Sequence, residues 1–267
     1  MIRLGKVLLW AVTAVLLAMA VLPFVLMIVT AFQKTTSLRF SGQDFTVSNF
    51  VELFTVHQFG TAIVNSLLVV VIACTLNNVV CALAAYGFVK LGFPGQNKVF
   101  LVYVATMMVP AQVTMIPLFI MFREMGILGG HLSLALPVVN AFGVFLIRQF
   151  MLGIPNSLLE AAMMDGASSW RIFVRIILPL IRPVLVALTV FTFLTTWNDF
   201  LWPLISIQSD SARTVTVAIA QLKGSFTTQF GMVMAGTTVA FIVPFIVYVV
   251  LQRQFVQGVT SSGFGGE

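Results

Sequence analysis

Long apolar runs separated by short polar segments dominate the pattern of this 267-residue chain. A helix needs about 20 apolar residues to cross the roughly 30 Å hydrocarbon core of a membrane. Six runs approach or exceed that length, at residues 7–32, 62–89, 99–122, 132–147, 183–207 and 230–251. The fourth is short, so we expect its ends to reach into the flanking loops or the membrane to be thinner around it. The pattern predicts an all-α polytopic membrane protein with six transmembrane helices, forming a single domain over residues 1–267.

The composition supports a membrane location. Of all residues, 60% are hydrophobic and 8% are charged, whereas about a quarter are charged in soluble domains. Arg3 and Lys6 precede the first run as they would in a secretory signal, but the run is longer than a signal and no small-residue cleavage site ends it. We therefore interpret the first run as a retained membrane anchor.

Cysteine, histidine and glycine positions argue against a metal site or an enzyme. Cys74 and Cys81 both fall in the second run, where small buried side chains are expected. His57 and His131 are isolated, without the spacing of metal ligands. The chain has no Gly-x-x-x-x-Gly-Lys-Ser/Thr segment for nucleotide phosphates and no set of nucleophile, base and acid. We predict that it is not an enzyme and binds no cofactor itself.

The distribution of basic residues predicts the orientation, because cytoplasmic loops are enriched in Lys and Arg. With the amino terminus in the cytoplasm, nine basic residues lie inside and five outside. The inner residues are Arg3, Lys6, Lys90, Lys98, Arg148, Arg171, Arg175, Arg182 and Arg253, and the outer residues are Lys34, Arg39, Arg123, Arg213 and Lys223. Both termini are thus predicted to be cytoplasmic. The net charge of +6 indicates attraction to membrane lipid and not to nucleic acid.

In this orientation the segment 148–182 is the longest cytoplasmic connection and the richest in charge. A short helix is predicted to begin near Pro155 and to end in a turn at Asp165 and Gly166. A second helix is predicted to begin around Ser168. Because the first helix has only about two turns, it is too short to be stable alone and needs a partner surface.

Two interpretations of this segment are open from its helix pattern. Three arginines share one stripe of the second helix if that helix continues past its proline, namely Arg171, Arg175 and Arg182. The segment is then an amphipathic connector in the membrane interface, with the arginines reaching lipid phosphates. Alternatively it docks onto a protein, because Ala161 and Ala162 leave room for another backbone beside the charge of Glu160.

The full spacing of the segment favours docking. Glu160-Ala161-Ala162 is followed after three residues by Gly166 and after nine more by Ile-x-Leu-Pro at 176–179. This pattern resembles, at every fixed position, the EAA loop of permease subunits of bacterial ATP-binding-cassette (ABC) importers. The resemblance implies the type I ABC importer permease fold, with a coupling loop at 148–182 whose short helix docks into a cleft on a separate ATPase.

The resemblance also assigns roles in that loop. Glu160 would make polar contacts with the ATPase, Ala161 and Ala162 would permit close docking, and Gly166 would form the turn. The implied coupling residues are Glu160, Ala161, Ala162, Asp165, Gly166, Ala167, Ile176, Leu178 and Pro179. ATP and Mg²⁺ would be bound by the partner ATPase and not by this chain.

Three further stretches narrow the resemblance to carbohydrate permeases of the bacterial inner membrane. They are TWNDFLWPL at 196–204, FPG at 93–95 and RQFVQGVT at 253–260. Over nearly its whole length the chain is similar to the second, six-span permease of each pair, the maltose-type G subunit. The implied substrate is a di- or oligosaccharide such as maltose or trehalose, or glycerol 3-phosphate. The implied partners are a second, F-type permease, a dimer of ATPase subunits and an extracytoplasmic sugar-binding protein or lipoprotein.

Polar and aromatic residues in the spans are candidates for a substrate path, because amides and aromatic faces suit neutral sugars. Their alternative role is hydrogen bonding between helices. The candidates are Asn65, Asn78, Gln112, Asn140, Trp197, Asn198 and Asp199. Asp199 is the only acidic residue in a predicted span. Its expected depth near the outer leaflet, between Trp197 and Trp202 as interfacial belt residues, favours a structural role.

Two other classes of protein compete with an ABC permease. An ion-gradient-driven secondary transporter of a small polar solute commonly needs ionisable residues deep in its spans, and here the spans contain only Asp199. A structural membrane scaffold leaves the spacing in the 148–182 loop unexplained.

Overall fold

The computed structural model describes residues 2–36, 45–223 and 228–261, with side chains at 5–36, 45–223 and 228–252. Arg39, predicted on the outer side, and the side chains of the 253–260 stretch lie outside the described residues. In the described part, β structure is limited to isolated bridges that pair Gln33 with Phe45 and Lys223 with Thr228. The all-α prediction is confirmed.

The helices follow one another with short connections. In chain order they are α1 (Ile2–Ala31), α2 (Ser48–Thr55), α3 (Phe59–Tyr86), α4 (Gln96–Ala105), α5 (Ala111–Glu124), α6 (His131–Ala135), α7 (Ala141–Leu152), α8 (Asn156–Met164), α9 (Ser169–Ile172), α10 (Leu178–Leu180), α11 (Arg182–Trp197), α12 (Leu201–Ser206), α13 (Val215–Gln221) and α14 (Phe230–Ser261). Two π-helical segments, Gly87–Leu91 and Phe173–Ile177, extend α3 and α9.

Three of the predicted spans are continuous apolar helices. They are Gly5–Ala31, Phe59–Leu91 and Phe230–Gln252, with mean hydropathies of 2.8, 2.4 and 2.3. The first of them packs along α14 and has none of its most apolar stretch buried within the chain. A helix that exposes apolar side chains on all sides is stable only in a nonaqueous environment.

The other three predicted spans are bent helix pairs, which makes six crossings if each pair spans once. The third predicted span, at 99–122, is broken, because α4 with its 3-10 extension meets α5 at an angle of 99°. Val109, which precedes Pro110, is extended with ψ of 118°. The ring of a proline disfavours helical geometry in the residue before it, which accounts for the break.

The fourth and fifth spans also differ from the predicted boundaries. The fourth is completed by α7, which bends by 47° from the preceding helix and continues to Leu152. The prediction of one helix at 183–207 is wrong, because α11 stops at Trp197 and α12 restarts only at Leu201. Phe200, between them, has φ of −121° and lies outside helical geometry.

Helix α3 forms the centre of the packing and contacts α11, α7 and α6. Its Cys81 is fully buried, as predicted for a small side chain in this span. A Cβ at Gly143 of α7 would lie 2.6 Å from the Cys81 Sγ and 3.2 Å from a methyl of Leu188. Only glycine at position 143 lets α7 approach both α3 and α11 so closely.

Buried amides join α3 to α11. The Asn77 amide donates to the Thr192 hydroxyl at 2.8 Å, and the Asn78 amide donates to the Thr189 hydroxyl at 2.8 Å. Such hydrogen bonds between helices fix the register of two apolar surfaces, which by themselves could slide past each other.

Candidate functional site

The short helix α8 is closed by a hydrogen-bonded turn around Gly166. Asp165 ends the helix, and Gly166 adopts a left-handed conformation with φ of +77°. The Gly166 N–H donates to the Met163 carbonyl at 3.0 Å, and the Ala167 N–H donates to the Ala162 carbonyl at 3.0 Å. These two bonds form the Schellman arrangement, which satisfies the last carbonyls of a helix and requires a positive φ at one residue. The predicted turn at Asp165 and Gly166 is confirmed.

One face of α8 packs onto the rest of the chain. Leu159 is 4% exposed and belongs to the same apolar cluster as Ile172 and Ile177. Ala162 and Ala167 are half-buried against this cluster. The two alanines of the pattern therefore differ, because Ala161 is exposed whereas Ala162 packs partly against the chain itself.

The opposite face of α8 and the following turn are exposed and carry both charges and large apolar side chains. Glu160 and Asp165 are exposed. Met164 is 89% exposed and Trp170 is 64% exposed. Within the described ranges the one ion pair joins Arg213 and Asp210, so the carboxylates of α8 have no ion-pair partner there. A mixed apolar and charged surface of this kind is typical of a protein interface.

The second helix of the segment is bent and partly π-helical. The Ser168 hydroxyl accepts from the Arg171 N–H at 3.4 Å, which confirms the predicted start at this serine. The residues before α11 bend by 73° relative to it. Arg182 therefore does not continue the straight stripe predicted for Arg171 and Arg175, although all three side chains are exposed. At the end of the EAA pattern, Ile176 and Leu178 are half-buried against the apolar cluster, and Pro179 is exposed.

Two residues at the carboxyl-terminal end of α3 and in its π-helical extension hydrogen-bond to both halves of the 148–182 segment. The Lys90 ammonium donates to the Ile154 carbonyl at 2.7 Å and to the Asn156 side-chain oxygen at 2.8 Å. The Tyr86 hydroxyl donates to the Ser169 carbonyl at 3.1 Å. Our reading of the sequence missed these contacts. The sequence signal for these contacts is the spacing of Tyr86 and Lys90, which lie four residues apart at the end of a predicted span.

Two of the substrate-path candidates on α3 are engaged in hydrogen bonds between helices and loops. The Asn65 amide donates to the Ser211 carbonyl at 2.7 Å and the Arg213 carbonyl at 3.0 Å, and its oxygen lies 3.1 Å from the His131 ring nitrogen Nε2. Asn78 bonds to α11, although its side-chain oxygen is buried without a partner among the described residues. Both amides therefore hold the fold together.

Trp197 and Trp202, which were expected to be belt residues beside Asp199, are both buried within the chain. Trp197 is 3% exposed and stacks on Phe193 with ring centroids 6.0 Å apart. Trp202 is 5% exposed, and its indole N–H donates to the Ser133 carbonyl at 2.9 Å. Both rings pack inside the chain, Trp197 in the same apolar cluster as Phe59 and Trp202 edge-on to Phe122 with ring centroids 5.9 Å apart.

The remaining path candidates lie nearer the surface of the chain. Gln112 is exposed. Asn140 is exposed and caps α7 by accepting from the Gly143 N–H at 3.1 Å. The exposed Asn198 donates to the Leu194 carbonyl at 2.8 Å. Asp199 is half-buried, and its backbone carbonyl accepts from the Thr216 hydroxyl at 2.6 Å.

Several known proteins are similar to this chain in sequence and in fold. Residues 77–261 match the sequence model of the family described as "Binding-protein-dependent transport system inner membrane component". The lactose transport system permease protein LacG of Rhizobium radiobacter is 31% identical over 264 residues, covering 97% of each chain. The arabinooligosaccharides transport system permease protein AraQ of Halalkalibacterium halodurans is 29% identical over 276 residues, covering 99% of each chain.

A solved structure extends the similarity to the fold. One chain of the crystal structure of a bacterial ABC transporter involved in the import of the acidic polysaccharide alginate matches with a TM-score of 0.83 at 20% identity. The match covers 94% of this chain and 96% of that chain. The predicted type I importer permease fold is thus confirmed. Since the family model matches more than half of its residues, the chain belongs to the family of binding-protein-dependent transport system inner membrane components.

Proposed function

We propose that this chain is one of two permease subunits in an ATP-driven importer of a carbohydrate. The substrate is a di- or oligosaccharide such as maltose or trehalose, or glycerol 3-phosphate. The names of the relatives, permeases for lactose and for arabinooligosaccharides, support this class. The observation that carries the proposal is the exposed face of α8, which combines the EAA spacing with a closed Gly166 turn and no cover from the described part of the chain.

The partners follow from what the chain itself provides. It would form the translocation path with a second, F-type permease, and an extracytoplasmic sugar-binding protein or lipoprotein would deliver the substrate. Because its sequence has no phosphate-binding loop, a dimer of ATPase subunits would bind ATP and Mg²⁺. The chain would lie in the bacterial inner membrane with both termini in the cytoplasm, so that α8 meets the ATPases.

The coupling loop would act as the contact that moves the spans. Glu160 and Asp165 would make polar contacts with the ATPase cleft, while exposed Ala161 permits a close approach. The exposed side chains of Met163, 51% accessible, and Met164 would fill apolar parts of the cleft. On the inner side, Ala162, Ala167, Ile176 and Leu178 pack against the cluster that includes α3 and α7. Closure of the ATPases would thus reorient the bundle as packed bodies.

The substrate path remains a proposal based on exposure. Gln112, Asn140 and Asn198 are exposed and Asp199 is half-buried, so these four are retained as candidates to face the second permease. Asn65, Asn78 and Trp197 instead support packing within the chain, because Asn65 bonds the Ser211 carbonyl, Asn78 bonds α11 and Trp197 stacks on Phe193.

Transport assays in proteoliposomes test the proposed function. The chain is reconstituted with its second permease and ATPase, with the binding protein outside, and is offered labelled maltose, trehalose, lactose and glycerol 3-phosphate separately. We expect accumulation of at least one of them only when ATP is enclosed, and no accumulation with a non-hydrolysable ATP analogue. Uptake that follows an imposed proton or sodium gradient without the ATPase would show that the chain is a secondary transporter.

Single-cysteine crosslinking tests the docking face of α8. In a background with Cys74→Ala and Cys81→Ala, we expect Ala161→Cys to crosslink to the ATPase several times faster than Ala162→Cys. The reason is that Ala161 is exposed whereas Ala162 packs partly inward. Band shifts on denaturing gels with a short thiol-to-amine reagent measure both rates. Equal rates, or Ala161→Cys products with lipid alone, would contradict the assignment of this face.

A further inference from the structure

We infer that Tyr86 and Lys90 bind the coupling loop to α3, so that the loop and α3 move as one unit during transport. The inference rests on the proposed function. It adds a mechanical connection between the loop and α3 that the order of the helices along the chain does not supply. Covalently, α8 leads through the following helices into α11. The contacts of Tyr86 and Lys90 connect the same loop to a helix that precedes it by more than one span.

Lys90 holds the entry to α8. Its ammonium group bonds both the Ile154 carbonyl and the Asn156 side chain, so it contacts the backbone before the helix and the first helical residue. Hydrogen bonds from a charged donor are among the stronger ones in proteins. The lysine lies in the π-helical turn Gly87–Leu91, and inserted π turns often occur at functional sites.

Tyr86 holds the second half of the loop. Its hydroxyl bonds the Ser169 carbonyl, and its ring packs on Phe173 with centroids 5.0 Å apart. Phe173 begins the other π-helical segment of the described chain. Because residues four apart on a helix share one face, Tyr86 and Lys90 together contact both sides of the Gly166 turn.

Helix α3 connects this contact to the opposite side of the membrane. Its 28 residues cover about 42 Å at ~1.5 Å per residue. In its middle, Asn77 and Asn78 bond α11. Near its outer end, Asn65 bonds the carbonyls of Ser211 and Arg213, and the Ser66 hydroxyl accepts from the Val215 N–H at 2.8 Å. A displacement of α8 that carries α3 with it therefore also reaches the outer 211–215 segment.

Substitutions that remove the two polar groups test the inference in the complete reconstituted complex. We expect Lys90→Met with Tyr86→Phe to lower the amount of labelled sugar transported per phosphate released by about tenfold, in the range of typical coupling energies. The sugar is whichever of maltose, trehalose or lactose the unmodified complex accumulates. Co-purification of the ATPase should be unchanged, because the exposed face of α8 is not altered. Lys90→Arg should retain most of the coupling.

Matched controls come from the same region. Lys98 is exposed, and no hydrogen bond or ion pair of its side chain occurs within the described residues. Tyr103 packs against the apolar cluster near the same membrane face. We expect Lys98→Met and Tyr103→Phe to leave the transport ratio unchanged. A normal ratio in the double variant of Tyr86 and Lys90, with the ATPase bound, overturns the inference and leaves the proposed function intact.

A crosslink tests the same point by replacing the Lys90 bonds with a covalent link. Cysteines introduced as Lys90→Cys and Asn156→Cys, in a background with Cys74→Ala and Cys81→Ala, are joined by a short bifunctional thiol reagent. If the loop and α3 move together, the linked complex transports at least as well as the unlinked variant, which lacks the Lys90 bonds to Ile154 and Asn156. If linking abolishes transport and cleavage of the link restores it, the loop slides along α3 and the inference is overturned. Failure of the proposed function has a different signature, namely an unmodified complex that transports without any ATPase.

Discussion

Replacing Gly166 with valine should abolish coupled transport while leaving the protein inserted in the membrane. Gly166 has φ of +77°, and no atom lies within 4 Å of a Cβ built there. The free-energy cost of the substitution therefore comes from the backbone conformation and not from a steric clash. Left-handed geometry costs an L-residue about 2 kcal/mol, and more if its side chain is β-branched. We expect the turn to open, because this relieves the backbone strain at residue 166. Opening the turn displaces the exposed face of α8.

The measured result should be uptake below about a tenth of the unmodified value, since about 2 kcal/mol shifts the equilibrium between the closed and the opened turn more than tenfold toward the opened one. ATP hydrolysis should continue at a comparable rate, uncoupled from uptake. Both are followed in the same proteoliposomes by labelled sugar and released phosphate.

Gly153 offers a matched control for this substitution. It ends α7 near the same loop, with φ of −75°, and a Cβ there meets only the Phe150 carbonyl at 3.5 Å. Gly153→Val should therefore transport nearly normally. Gly166→Asn should be intermediate, because asparagine tolerates left-handed geometry better than valine. If Gly166→Val couples uptake to hydrolysis normally, the turn has no role in transmission.

Replacing Gly231 with alanine should have the largest effect on stability. A Cβ at this position would overlap the Gln33 carbonyl oxygen and lie 2.8 Å from the Asn49 amide nitrogen. That amide donates to the Ala31 and Gln33 carbonyls at 2.8 and 3.0 Å, and the Gly231 N–H itself donates to the Thr35 carbonyl at 3.3 Å. A backbone oxygen cannot rotate away as a side chain can, so α14 must separate from the end of α1.

We expect a loss of about 3 kcal/mol, at the upper end of overpacking costs, and a melting temperature lower by roughly 10 °C in detergent. Fluorescence-detected size-exclusion chromatography after heating measures the melting temperature. Gly60→Ala is the control, because its Cβ would meet only a Phe54 ring carbon at an ordinary 3.7 Å, within helical geometry. Equal stability of the two variants would contradict the close contact between α1 and α14.

Much of the fold followed from local patterns. The continuous spans at both ends and in α3 were predictable, because a long apolar run can satisfy its backbone only as a helix in lipid. The Gly166 turn was predictable for a similar reason, since its helix stop signals lie within a few residues of each other. The EAA spacing and the surrounding stretches were sufficient for the family.

The bends and the inner positions were not predictable from these patterns. Hydropathy reports how apolar a run is and not whether it is straight, so it gives neither the 99° angle at the break before Pro110 nor the break after Trp197. Burial of Trp197 and Trp202 depends on which helices surround them, and an aromatic residue near a span end has the same local sequence signature in either environment.

The sequence by itself determined the helical membrane class, the family and the place of the EAA pattern, because these depend on composition and on spacing along one segment. Tertiary structure alone decided which alanine of α8 faces outward, which asparagines hold helices together and how Tyr86 and Lys90 reach the loop. Those properties arise from contacts between residues far apart in the chain, such as Lys90 with Ile154. The energy of such a contact depends on how the intervening helices pack, which no local pattern specifies.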